Sequence, residues 1–169
     1  IILSDNLGGA RTATRHLIAR GHRRIGFLGD PLEIFTAAER LRGYRDALLG
    51  AGLPHGDDLV RSGLRSADES EFATMEFFRG AQPPTALFTA QNEVAVGALH
   101  ALRRLDLHRR VALVSFDDLE LADLVEPALT VVSQDAAELG RAAARLLFRR
   151  MDGDRTPYRR VELPTRLIV

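Results

Sequence analysis

The 169-residue chain has no cysteine, no tryptophan and no lysine. Without cysteine it forms neither disulfides nor thiolate metal sites. Without lysine, all 23 of its basic residues are arginine. The plain reading of that bias is a GC-rich genome, because Arg and Lys exchange freely on surfaces away from forked contacts. An excess of charge of one sign is missing as well, since 23 acidic residues bring the formal net charge to zero. A nucleic-acid-binding domain usually shows a basic excess or stripe, so this segment is not expected to touch DNA itself. No apolar run approaches the roughly 20 residues needed to span a bilayer, which excludes a membrane partner of that kind. No signal peptide is visible, and the chain opens Ile1-Ile2-Leu3 without a Met. It reads as an excerpt whose native N-terminus lies upstream.

The familiar catalytic motifs are missing too. No G-x-G-x-x-G follows a strand, and there is neither a P-loop nor a G-x-S-x-G elbow. The five histidines (His16, His22, His55, His100 and His108) show no metal-ligand spacing. Asp117-Asp118 lacks nearby partners for a metal. The expectation is therefore a protein that is not an enzyme, with no catalytic residues, no metal and no cofactor.

What is present is an alternation of short apolar runs with helical periodicity. Helical spacing covers 7–20, 36–51, 69–79, 92–105 and 136–151. Strand-like runs cover 24–29, 58–63, 85–89, 111–116 and 129–132, with further pieces near Val161 and Leu167. Thr36 with Glu39, Ser66 with Glu69, and Asp135 with Glu138 each read as a capping box at a helix start. Strand alternating with helix gives an α/β fold, a parallel sheet with helices on both faces. The run near Pro157 is the one linker-like loop.

Ligands bind open parallel sheets beyond the carboxyl ends of the strands. That rule collects Thr36, Arg40, Arg65, Gln91, Asn92 and Asp117 at one edge. These are hydrogen-bonding groups suited to a hydroxyl-rich or heteroatom-rich small molecule. Taken singly, each has a structural alternative. Thr36, Gln91-Asn92 and Asp117-Asp118 could serve as caps, and Arg40 and Arg65 could be solvated.

Five blocks in order then resemble the lactose-repressor (LacI/GalR) family of transcriptional regulators. They run from Asp5-Asn6 through His16-Leu17-Ile18 to Gly21-His22-Arg23-Arg24-Ile25-Gly26-Phe27-Leu28-Gly29, then Arg40-Leu41-Arg42-Gly43-Tyr44. Pro84-Thr85-Ala86-Leu87-Phe88 with Ala95-Val96-Gly97-Ala98 follows. Ser115-Phe116-Asp117-Asp118 with Pro127-Ala128-Leu129-Thr130-Val131 and Gln134-Asp135 comes next. Pro164-Thr165-Arg166-Leu167 closes the series.

The resemblance implies a periplasmic-binding-protein-like type I fold of two lobes, of which this chain holds mostly one. About 5–125 would form the C-terminal lobe, about 127–155 would cross into the N-terminal lobe, and 160–169 would supply a closing strand. The helix at 136–151 would then lack its natural sheet. The resemblance also implies a cytoplasmic homodimeric repressor, with operator DNA bound through a helix-turn-helix head absent from this chain. Its effector would be a sugar, a sugar derivative or a purine-like molecule. A transport-type sugar-binding protein of the same fold is the alternative. Arg40 and Asp117 match the family's ligand-binding Arg and Asp, and Thr36 falls in its variable specificity loop. Gln91-Asn92 departs from the usual Asn-Asp. Arg65 stands where an aromatic residue often stacks on a sugar, which points to a ligand with a negative or strongly polar group.

Overall fold

Two sheets of unequal size organise the chain in the computed structural model, which describes residues 1–118, 126–157 and 160–169. The elements in order are β1 (Ile2–Ser4), α1 (Asn6–Ala19), β2 (Ile25–Leu28), α2 (Phe35–Gly50), β3 (Val60–Arg61), α3 (Ala67–Arg79), β4 (Ala86–Thr89), α4 (Asn92–Arg104), β5 (Ala112–Phe116), β6 (Thr130–Ser133), α5 (Ala136–Met151), β7 (Val161–Leu163) and β8 (Arg166–Ile168). The larger sheet has the strand order β3-β2-β4-β5-β6-β8. Its first five strands are parallel, and β8 runs antiparallel to β6. The smaller sheet is the parallel pair β1 and β7. The weak strand expected over 58–63 is a 3-10 turn at Asp57–Leu59 followed by the two residues of β3.

Side chains alternate across the larger sheet because a strand repeats every two residues. Ile25 and Phe27 of β2, Ala86 and Phe88 of β4, and Val114 and Phe116 of β5 pack with Leu17 of α1 and Tyr44 of α2. Leu28 and Leu87 point to the other face, where they meet Phe77 of α3 and Val94 and Leu102 of α4. The helices therefore cover both faces, as the near-continuous apolar strands require.

Local sequence sets most helix starts. Asp5 accepts from Gly8 N–H at 2.7 Å, Ser66 from Glu69 N–H at 3.2 Å, and Asp135 from Glu138 N–H at 2.7 Å. The expected Thr36–Glu39 box is corrected. The α2 cap position is Ile34, with no side-chain cap bond, and Thr36 lies inside the first turn. Glu39 instead faces Arg42 at 3.5 Å and Arg160 at 3.9 Å. Helical geometry begins one residue before Thr36, so its hydroxyl sits past the point where a cap can act.

The chain passes between the sheets three times, at Asp5, at Gln134-Asp135 and at Pro164-Thr165. The Asp5 N–H donates to the Leu163 carbonyl at 2.8 Å, which ties the first passage to the third. The crossing expected over 127–155 leaves the larger sheet at Ser133, since Thr130–Ser133 still pair there. The expected lobe boundary near residue 125 lies outside the described residues. Helix α5 contacts β1, and none of its residues is buried. Leu147, Phe148 and Met151 are 59%, 61% and 70% exposed. No helix among the described residues is long and apolar enough to cross a membrane.

Candidate ligand-binding site

Five strands end at one place. Asn6 follows β1, Asp30 follows β2, Gln91 follows β4, Asp117 follows β5 and Gln134 follows β6. Arg40 enters this group from the second turn of α2 and is only 6% exposed. Its Nε donates to Asn6 Oδ1 at 2.8 Å, and its Nη1 donates to the Ala90 carbonyl at 2.5 Å and to Asp117 Oδ2 at 3.3 Å. The guanidinium also lies 3.9 Å from the centre of the Phe116 ring, a cation–π contact that holds its plane. Nη2 makes no hydrogen bond among the described residues.

Burial lowers the Arg40 pKa, and the charges of Asp117 and Asp30 oppose that shift. The guanidinium stays charged because its reference value is so high. Asp117 is held at φ 75°, in the left-handed region. Only a few per cent of non-glycine residues adopt it, and Asp is among the better tolerated. Its Oδ1 accepts from Gln134 Nε2. The Asp117 carboxylate is thus fixed from two sides while remaining partly open, with 25% side-chain exposure. Gln134 also lines a cavity of about 420 Å³ together with Ser133, Leu163, Pro164 and Arg166, where the chain passes between the sheets.

The remaining expected residues divide. Gln91 caps α4 by accepting from Glu93 N–H at 2.7 Å, and its Nε2 donates to Asp30 at 2.9 Å. Asn92 Nδ2 donates to the Asp118 carbonyl at 3.2 Å, and its buried Oδ1 has no hydrogen-bond partner among the described residues. Both therefore join the Arg40–Asp117 neighbourhood, and Gln91 does so while serving as a cap. Thr36 is half-buried one helical turn before Arg40, on the same face of α2. Arg65 is exposed, and its bond within the group of loop residues is a backbone one, N–H to Glu69 at 2.7 Å. Neither Thr36 nor Arg65 makes a hydrogen bond or ion pair to the other candidates among the described residues.

Asn6, Asp30, Phe116 and Gln134 escaped the sequence reading of the site. Asn6 and Gln134 sit beside capping aspartates, which masked them as helix-start residues. The missed signal was that each directly follows a strand end or a passage between sheets. Among the described residues no group of acids or histidines is placed to hold a metal ion.

The arrangement can donate from a fixed guanidinium and accept at a fixed carboxylate within a few ångströms, as recognition of adjacent hydroxyls requires. Known proteins share this fold. The family described as periplasmic binding protein-like domain matches residues 14–169. The HTH-type transcriptional regulator CelR of Thermobifida fusca is 39% identical over 98% of this chain and 49% of its own length. A crystal structure of a LacI-family regulatory protein from Chloroflexus aggregans superposes with a TM-score of 0.93 at 30% identity, over 99% of this chain and 61% of that one. A complex of the regulator CelR with cellobiose gives a TM-score of 0.92 at 38% identity, over 99% of this chain and 52% of that one. The chain spans about half the length of the curated relatives it matches. It belongs to the periplasmic binding protein-like domain family, in the form carried by regulators of the lactose-repressor type.

Proposed function

We propose that this chain is the effector-sensing part of a cytoplasmic transcriptional repressor that responds to a sugar or sugar derivative. The observation that carries the reading is the Arg40–Asp117 pair, anchored from beneath by Asn6, Ala90 and Phe116 at the ends of converging strands. Arg40 Nη2 donates to a ring or hydroxyl oxygen, and Asp117 accepts from a neighbouring hydroxyl. Asn92 Oδ1 offers a further acceptor, and Thr36 and Arg65 line the rim. The larger sheet with α1–α4 is the C-terminal lobe. The pair β1 and β7 with α5 is the share of the N-terminal lobe held in this chain. Effector bound between the lobes favours one arrangement of the three passages over another. That difference sets the operator affinity of a DNA-binding head outside this chain, in a homodimer. The relatives are named as transcriptional regulators, which favours this reading over a transport protein or an enzyme.

A thermal-shift series on the full-length polypeptide tests the proposal, using sugars, sugar acids, sugar phosphates, nucleosides and purines. A ligand that binds only the folded state adds about 2.7 kcal/mol of stability at a hundred times its dissociation constant. The expected result is a dose-dependent shift that Asp117→Asn removes and Arg65→Ala weakens. A shift indifferent to Asp117→Asn would place the effector elsewhere, and one indifferent to Arg65→Ala would remove that residue from the rim.

A further inference from the structure

The opposite edge of the larger sheet holds a second, separate cavity of about 230 Å³, under the ends of α1 and α4 and beside the starts of β5 and β6. Its floor is apolar, with Leu17, Leu102, Val114 and Leu129 all nearly or fully buried. Its rim is cationic or imidazole, formed by His16, Arg20, His22, Arg103 and His108. The one acid on the rim, Glu126, is 80% exposed and pairs with Arg109 at 3.2 Å. Among the described residues neither Arg20 nor Arg103 pairs with a carboxylate. In a chain of zero net charge, two arginines beside one apolar hollow, without a carboxylate partner among the described residues, form a local excess of positive charge.

Helix capping does not account for them. The last carbonyls of α1 are closed by the backbone N–H groups of Arg20, Gly21 and His22, and those of α4 by Leu105 and Leu107. The guanidinium groups are left over. The Arg20 charge is felt nearby, since burial first and Arg20 second hold the His16 pKa below the ordinary imidazole value. Burial does the same to His22, whose Nδ1 lies 3.0 Å from Thr85 Oγ1. The buried Nδ1 of His108 has no hydrogen-bond partner among the described residues, for Asp106 at 3.9 Å is too distant. Buried polar atoms without partners are uncommon enough to mark a missing one.

We infer that this cavity binds a small carboxylate with an apolar body, of the size of a single-ring aromatic acid, at a site distinct from the effector site. Ligand pockets usually run from about 300 to 1,000 Å³, so a space of about 230 Å³, below that range, selects one ring rather than two. The ring rests on the leucine and valine floor, and the carboxylate meets Arg20 and Arg103 at the rim.

Calorimetric titration of the full-length polypeptide with benzoate tests this, with benzyl alcohol as the neutral counterpart. The expected result is saturable benzoate binding, weakened at least tenfold in the Arg20→Gln/Arg103→Gln double variant and unchanged in Asp117→Asn. Benzyl alcohol binds at least tenfold more weakly than benzoate. In NMR titrations the His16 imidazole pKa rises when benzoate neutralises the neighbouring guanidinium. Absence of saturable binding, equal binding of the neutral compound, or loss of benzoate binding in Asp117→Asn would each overturn the assignment. Because both exchanged arginines are surface residues, unchanged thermal unfolding of the double variant separates lost binding from lost fold.

Discussion

Arg40 Nη1 and Asp117 Oδ2, 77 residues apart in the chain, stand 3.3 Å apart across the ends of the larger sheet. The two partners differ in what they owe to folding. Arg40 is buried and also satisfies Asn6 Oδ1 and the Ala90 carbonyl, so Arg40→Met strands acceptors out of water. A loss of about 2–3 kcal/mol is expected, the range for hydrogen bonds to a charged group. Asp117 is partly solvated and sits at positive φ, where Asn is among the best-tolerated non-glycine residues. Asp117→Asn should therefore change stability by only about 1 kcal/mol or less while removing effector binding. Urea unfolding midpoints read both effects, and equal losses in the two variants would contradict the assigned roles.

The helix pairs on the two faces are each pinned by a glycine at a close approach. A Cβ on Gly43 of α2 would lie inside the contact distance of the Leu7 carbonyl oxygen and 3.0 Å from Ala10 Cβ. A Cβ on Gly97 of α4 would strike the Ala67 carbonyl oxygen of α3 in the same way. Backbone atoms cannot swing aside as side chains do, so the helices must separate. Gly43→Ala and Gly97→Ala should each destabilise by about 1–3 kcal/mol, the usual cost of overpacking. Gly50→Ala, with nothing within 4 Å, should be neutral or slightly stabilising. Thermal unfolding of the three variants separates these cases.

Much of this was legible in the sequence because the relevant signals are local. The 136–151 helix has the bounds that its periodicity and Asp135 suggested, and the apolar runs 25–28, 86–89 and 112–116 are central strands. Arg40 and Asp117 meet at the strand ends, where the carboxyl-end rule, which needs only strand positions, puts them. Thr36 misled because a hydroxyl followed by Glu39 has the pattern of a cap, yet a proline–leucine turn starts the helix two residues earlier than the pattern allows. Asn6, Gln134 and Phe116 were hidden because their roles depend on the passages between two sheets. Sequence spacing carries no record of which strand ends meet.

Tyr44 predicts how the fold fails in alkali. Its hydroxyl is buried and donates to the Ile25 carbonyl at 2.6 Å. Burial is the main reason that its pKa lies well above the ordinary phenolic range. The folded state thus holds the Tyr44 proton more tightly than the unfolded chain does. That contribution is fully present below about pH 10 and is lost as pH rises from there toward the folded-state value. Tyr44→Phe should cost about 1 kcal/mol at pH 7 by removing the bond, and should flatten the fall in stability above pH 10. Urea midpoints measured from pH 7 to 11 give both numbers. A wild-type curve with the same alkaline slope as Tyr44→Phe would contradict the link.

Helix α5 predicts the behaviour of the 169-residue chain in isolation. Glu138 on its polar side binds Arg141 at 2.7 Å and Arg145 at 2.5 Å, while Leu147, Phe148 and Met151 stand in solvent. Contiguous apolar surface of this kind drives association. Expressed alone, the chain should sediment with a mass that rises with concentration and should bind a dye specific for apolar surface. Leu147→Glu with Met151→Glu should return it to a monomer and remove the dye signal, without lowering the unfolding temperature of the larger sheet. If, as proposed, the rest of the N-terminal lobe packs on this face of α5, the same two exchanges should instead destabilise the full-length polypeptide. A dye-negative monomer from the unaltered 169-residue chain would show that the helix covers itself.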